Sequence, residues 1–459
     1  METLSDKLLN NKKLPMHMPG HKRSAAPFPH LANLSARQDI TEITGFDNLH
    51  DAHGILKESM NTAAHLRGAD RAFYLINGST CGILAAISAC VPFGGKIIMA
   101  RNCHKSVYNA AELIHAQTVY ITPEHEPFTG GYGCISPDAV RTAIAQNHDA
   151  HAMVITSPTY EGIVSDIRKI CDIAHGAHIP VIVDAAHGAH FGYADFPKDA
   201  VSYGGDIVIE SLHKTLSGLT QTAVCYVSGN IADADKIEKK LSVFESSSPS
   251  YLLLSSIDGC IKMLYSDGDE LFSPWITALN DFYRCAKNLK NFKFLSDYQG
   301  NFFDYDRSKI VISSEFASGT EIFRQLQSRG IECEMASVGY CLAMTGIGDT
   351  PQSLLQLYRA LEDADNRLTG NFSPFSLYPP AAEQAMPLHA AAEQAAESIP
   401  FSCAVGRISA EYIWAYPPGI PIIAPGERIT EDAAAAVNTY QNNGIDLSFS
   451  ENGKILVIK

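Results

Sequence analysis

From Ala72 to Glu210 the chain repeats one pattern: a short apolar run, a polar or glycine-bearing break, and a longer stretch with helical spacing. The runs are Ala72–Ile76, Lys96–Ala100, Thr118–Thr122, Ala152–Thr156, Pro180–Asp184 and Asp206–Glu210. Helices are predicted over Ser79–Val91, Ser106–His115 and Asp166–Gly176. Strands that are apolar throughout, rather than alternating, must be covered on both faces. With helices between them, they predict an α/β fold with a mostly parallel sheet, whose ligand sits beyond the carboxyl ends of the strands. Residues 1–50, with Met16–Arg23 reading MHMPGHKR, are expected to form an extended arm, and 51–269 the large domain. A smaller α+β C-terminal domain is expected over 270–459, with strands at Lys309–Ser313 and Ile455–Ile458 and a helix at Ser353–Arg367. The Ala/Glu/Gln-rich tract 381–398 reads as a surface helix.

Three of the breaks carry chemistry. Asn77-Gly78-Ser79-Thr80 lies between a strand and a helix, where glycine allows close backbone approach and the helix start offers free N–H groups to a phosphate. The same hydroxyls could simply cap the helix. No GxxxxGK[ST] or strand-borne GxGxxG occurs, so neither a P-loop nor a dinucleotide fingerprint is present. Asp184 ends the apolar strand Val181-Ile182-Val183 and is followed by Ala185, Ala186, His187 and His190. A carboxylate there is costly without a partner, and the protonated ring nitrogen of a cofactor would be one. Asp184, His187 and His190 recur every three residues, but a fourth metal ligand is lacking, and no metal is expected. In the third break, Ser211-Leu212-His213-Lys214 follows Asp206–Glu210. If the strand persists, Ser211 and His213 face one side and Leu212 and Lys214 the other. A lysine near a buried site loses its proton easily and can form an imine.

The net charge of −15 disfavours a nucleic-acid partner, and eleven cysteines without a CxxC pair suit reduced thiols in a cytoplasmic protein. The apolar stretch around Gly82–Phe93 is too short to span a bilayer.

At these residues the chain resembles the Orn/Lys/Arg decarboxylase family, the bacterial basic amino-acid decarboxylases of fold type I (aspartate-aminotransferase-like). The resemblance rests on an ordered set of motifs: MHMPGHKR at Met16, DITEITGFDNLHDAHG at Asp39, NGST at Asn77, RNCHKS at Arg101, TSPTYEG at Thr156, VDAAHGAHFG at Val183 and SLHKTLSGLTQTA at Ser211. SPSYLLLSSID at Ser248, AVGRISAEY at Ala404 and YPPGIPIIAPGE at Tyr416 complete it. It implies pyridoxal 5'-phosphate (PLP) as cofactor and decarboxylation of arginine, lysine or ornithine. Lys214 would form the imine with PLP, and Asp184 would pair with its pyridine nitrogen. Ser79, Thr80, Ser211 and His213 would hold the phosphate. His104 would stack on the ring and His187 would lie beside it. The fold implies a homodimer, in which Ser247 or Ser248 would reach the neighbouring subunit's phosphate.

Two positions depart from the family pattern. Ala185 stands where Glu is common, and Ser217-Gly218 where Pro is usual, which bears on reaction specificity more than on cofactor binding. The cationic substrate side chain needs an acid, for which Asp39, Glu42, Asp47, Glu161 and Glu411 are candidates. Two other readings stay open. One is another fold type I enzyme, such as an aminotransferase using Arg407 on the α-carboxylate, or an aldol-type lyase. The other is a PLP-binding regulator without activity.

Overall fold

The computed structural model describes residues 12–24, 28–32, 34, 38–372, 383–415, 419–448 and 453–459. Parts of three expectations lie outside the described residues: the first eleven residues of the arm, Ala381 and Ala382 of the Ala/Glu/Gln tract, and Tyr416–Pro418 of the YPPG motif.

Apolar runs that bury both faces assemble into one seven-stranded sheet. Its strands are β1 (Arg71–Leu75), β2 (Lys96–Ala100), β3 (Gln117–Ile121), β4 (Ala152–Thr156), β5 (Val181–Asp184), β6 (Ile207–Glu210) and β7 (Ala223–Val227). The order across the sheet is β1-β7-β6-β5-β4-β2-β3. Neighbours from β6 to β3 are parallel; β7 runs antiparallel to both β6 and β1. The AVCYV run of β7 was not anticipated, although all five residues are buried. Helix Gly78–Cys90 packs directly on the sheet because Gly82 has no side chain; a Cβ there would stand 2.6 Å from Leu75 Cδ1.

A buried ion pair fixes the end of β6. Arg67 Nη2 lies 2.8 Å from Glu210 Oε2, with both side chains almost fully buried. The guanidinium also donates to the carbonyls of Ala189 and Phe191, so one cation holds the loop following β5 to the last residue of β6. Burial pushes the Glu210 carboxyl up to about 7 even though Arg67 pulls it back.

Past helix Tyr251–Asp267, a four-stranded antiparallel sheet takes the order Phe292–Phe294, Lys309–Ser314, Cys341–Met344, Met335–Ala336. The arm joins this region: Leu14–Met16 pairs in parallel with Ile331–Cys333. The C-terminal strands surround their own small core, which includes Phe401, Ile413, Ile423, Val437 and Ile455. Arg101 ties this unit to the large sheet, donating to Pro421 O at 2.8 Å, Ile422 O at 3.2 Å and Glu427 Oε2 at 3.0 Å.

Two expectations are corrected. The strand does not persist through Lys214: β6 stops at Glu210, and Leu212–Thr215 is a single helical turn closed by Leu216 N–H to Leu212 O at 2.9 Å. The 381–398 tract is not one surface helix. Its helix covers only Leu388–Glu393, where Leu388 and Ala391 are buried, and Ala396–Pro400 pairs with Lys454–Ile458 as a strand. Pro387 starts that helix, and Leu388 and Ala391 give it a buried side. No helix among the described residues is long and apolar enough to cross a membrane.

Replacing Arg67 by methionine leaves the Glu210 carboxyl buried without its cation. The expected loss is about 3–5 kcal/mol of stability, read as a lower denaturant midpoint at unchanged slope.

Candidate active site

Each strand of the parallel set ends by releasing a polar loop at the same edge of the sheet, and the loops line a cavity of about 630 Å³. Beyond β1, Gly78 takes φ +76°, a conformation that favours glycine, and its N–H donates to Gln221 O at 2.9 Å. Asn77 makes no side-chain cap on helix Gly78–Cys90, and the start of that helix, Gly78, Ser79 and Thr80, lines the cavity. Beyond β2 come Asn102 and His104. His104 caps helix Lys105–Leu113, its Nδ1 accepting the Ser106 N–H at 3.2 Å, which leaves the proton on Nε2. Burial, then Lys214 and Lys105, push His104 down to about 3.

Beyond β5, Asp184 is buried, and its carboxylate accepts the Ala186 N–H at 3.2 Å. Burial raises its pKa, with Lys214 opposing. The turn beyond β6 brings Lys214 Nζ to 2.9 Å from His187 Nε2. Burial depresses Lys214 to about 8, with Asp184 and Glu334 pulling the other way. Burial and the Lys214 charge hold His187 well below the usual imidazole range, so its neutral ring accepts from the ammonium. His213 is likewise pushed down by burial to about 4, and its Nδ1 meets Thr222 O at 3.0 Å.

Lys214, Asp184, His104, His187, His213, Ser79 and Thr80 therefore share one cavity wall system. Ser211 is fully buried under it, with a hydroxyl that has no hydrogen-bond partner. Asn102 Oδ1 and His187 Nδ1 are buried and unpartnered too. This set offers an aldehyde an amine, a basic ring nitrogen a carboxylate, and an anion a group of hydroxyls at a helix start. His190 does not join Asp184 and His187; it turns away to Thr215 and Asp306.

Of the candidate acids only Glu161 lines the cavity; its Oε1 accepts the Tyr340 hydroxyl at 2.6 Å. Asp39 is exposed and Glu42 half-buried away from the cavity. Asp47 accepts backbone N–H groups of Gly54 and Leu56, and Glu411 that of Leu456. Arg407 pairs with Glu397 at 2.7 Å and does not reach the cavity. Ser247 and Ser248 are exposed. Ala185 sits in the core rather than on the cavity wall, its N–H shared between Val183 O and Ile209 O. Gly218 fits where a Cβ would stand 2.4 Å from Thr222 Oγ1.

Sequence reasoning missed Glu334. It lines the cavity, accepts the Met18 N–H at 2.9 Å and meets the Tyr160 hydroxyl. The only local signal is alternation: Ile331, Cys333 and Met335 are buried, while Glu332 and Glu334 between them are not. Tyr160 and Asn102 stand inside quoted motifs but carried no assigned role; Tyr160 packs its ring against His187 at 4.6 Å between centroids.

The model of the major domain of the Orn/Lys/Arg decarboxylases matches residues 3–324, and that of their C-terminal domain residues 361–442. The chain belongs to the Orn/Lys/Arg decarboxylase family. The resemblance read from the motifs thus holds, and with it the reaction class, PLP-dependent decarboxylation of basic amino acids. The chain is similar to the arginine decarboxylase of Halalkalibacterium halodurans, 33% identical over 95% of this chain and 92% of the relative. It is also similar to that of Bacillus subtilis, 30% identical over 96% and 94%. Lysine decarboxylase A from Pseudomonas aeruginosa shares the fold at a TM-score of 0.77 and 20% identity, over 91% of this chain and 73% of that one.

An amine held near 8 attacks aldehydes at far lower pH than an ordinary lysine at 10.5. Only the neutral amine is nucleophilic, so pyridoxal labelling of the cofactor-free protein, trapped with borohydride, should rise with pH and level off above about 8. Lys214→Ala should remove the labelled peptide.

Proposed function

We propose that the chain decarboxylates L-arginine, with PLP bound covalently through Lys214. The observation that carries this reading is the contact of the buried Lys214 amine with His187, next to a buried carboxylate, in a cavity that Glu161 and Glu334 also line. The side chains fit the cofactor: Asp184 would face the ring nitrogen, His104 the ring face, and Ser79, Thr80, Ser211 and His213 the phosphate, helped by the helix start. When bound, PLP supplies the electron-withdrawing ring that makes loss of CO2 from an α-amino acid feasible.

The protein's own residues do the rest. Burial keeps Lys214 easily deprotonated, so it can give up its link to an incoming amine and take it back. Neutral His187, 2.9 Å from Lys214, shares the proton that must return to the substrate's α-carbon after CO2 leaves. Glu161 keeps one carboxylate oxygen clear of the Tyr340 bond to meet the substrate's cationic end, and Glu334 adds negative potential. Two carboxylates among the tyrosines 160 and 340 suit a planar, many-donor guanidinium better than a compact ammonium. The names of the relatives aligned along 95% and 96% of the chain favour arginine as well. Ala185 lies off the cavity wall, which leaves this set of groups intact. The active form in this reading is a cytoplasmic homodimer, with Ser247 or Ser248 meeting the second copy; all eleven cysteines are free, as a reducing compartment requires.

Incubation of the PLP-loaded protein with arginine, lysine, ornithine and acidic amino acids should release CO2 and amine fastest from arginine. A keto acid in place of the amine would falsify the decarboxylase reading. Glu161→Gln should raise KM for arginine about 10- to 100-fold with kcat changed far less, because it removes charge from the binding end only. Lys214→Ala should abolish turnover.

A further inference from the structure

His190 is the one histidine of the VDAAHGAHFG motif that the cavity and the proposed chemistry leave unused. It is fully buried, wedged between Phe196, Phe191 and Trp275 with ring centroids 4.5, 4.9 and 5.2 Å away. Its Nδ1 lies 3.2 Å from Thr215 Oγ1, and its Nε2 3.1 Å from Asp306 Oδ1 and 3.5 Å from Ser308 Oγ. Burial opposes the charge on Asp306, but His190 and Lys309, whose Nζ is 3.3 Å from the other oxygen, hold its carboxyl below the ordinary range. Burial drives the His190 ring down despite Asp306, so it is neutral. An ionised Asp306 accepts a hydrogen bond from Nε2–H, and Nδ1 is left to accept from the Thr215 hydroxyl.

Thr215 follows Lys214 and closes the single turn that carries it. We propose that His190 is a positioning residue for Lys214: it holds the lysine-bearing turn from behind, through Thr215, while anchored on Asp306. The inference rests on Lys214 being the cofactor lysine. A four-residue turn has one internal closure, so its orientation depends on outside contacts. Among those contacts are the backbone bonds Leu212 N–H to Thr222 O at 3.1 Å, Gly20 N–H to His213 O at 2.8 Å and Ile347 N–H to Thr215 O at 2.9 Å, and the side-chain bonds of His213 Nδ1 to Thr222 O at 3.0 Å and of Thr215 Oγ1 to His190 Nδ1 at 3.2 Å. The backbone bonds fix the path of the turn; His213 is held on one side of Lys214 in sequence, and the Thr215 contact locks the side-chain torsion on the other. Asp306 also donates its N–H to Gly162 O at 2.8 Å, next to Glu161. One buried imidazole thereby connects the Lys214 turn to the backbone beside Glu161.

Thr215→Val keeps shape and burial but removes the hydroxyl, and Thr215→Ser keeps the hydroxyl. Both are compared with the parent as PLP-loaded proteins of matched thermal stability. The decisive readout is the pH midpoint of the visible absorbance of the lysine-linked cofactor, because the nitrogen's proton affinity follows its placement against Asp184 and His187. The valine variant should shift the midpoint by about half a unit or more and lower kcat about tenfold with KM nearly constant, whereas serine stays near the parent. The proposal stands only if the midpoint moves with valine and not with serine; any other pattern overturns it. The absorbance needs no turnover, so failure of the arginine reading leaves this test intact. A parent protein without lysine-linked absorbance would instead sink the Lys214 reading and this inference with it.

Discussion

Asp184 and Lys214 are opposite charges that the fold has carried out of water into the same place. Each alone would favour its neutral form there; burial pushes the carboxyl up and the amine down. Neither has an ion-pair partner of ordinary geometry among the described residues, since Lys214 meets an imidazole and Asp184 a backbone N–H. Such an arrangement is unfavourable for stability and is kept by the scaffold around it. The scaffold consists of β5 and β6, side by side and parallel, with Arg67 clamping the loop after β5 to the end of β6. The desolvation that costs stability gives the amine its reactivity.

Much of this was legible because fully apolar strands announce a covered sheet, and the polar residue that ends each run must then lie at the sheet's edge. Asp184, Ser79 and Lys214 could be picked out on that ground; His104 came only with the family resemblance. The turn at Leu212–Thr215 was not legible, since Ser-Leu-His-Lys alternates as well as a strand does; what ends the strand is tertiary, the antiparallel return of β7 and the arm laid over the turn. Glu334 was hidden for a different reason. It lies at the bend between two short strands, Ile331–Cys333 and Met335–Ala336, and acquires meaning only through Tyr160 and Met18, which are distant in sequence. The tract at 381–398 misled because alanine-rich composition reports helix propensity, while its pairing with the last strand overrides propensity.

The two departures from the family pattern illustrate how position decides the weight of a substitution. Ala185 alternates inward along the chain from Asp184 and faces apolar neighbours, so an acid lost there is lost from the core side and not from the cavity. Ser217-Gly218 lies just past the turn that carries Lys214, where the missing Cβ of Gly218 admits the Thr222 hydroxyl.

The arm adds an order of events. Gly20 packs so tightly on the turn that a Cβ there would stand 2.6 Å from Leu216 O, and its carbonyl accepts the Gly348 N–H at 2.9 Å. Leu14–Met16 meanwhile waits for Ile331–Cys333. During synthesis the lysine is therefore made long before the strap that covers it has anything to fasten to. A ribosome-bound chain ending between residues 214 and 331 carries the reactive amine without its roof, and closure is deferred until the chain's beginning meets a segment synthesised more than 300 residues later.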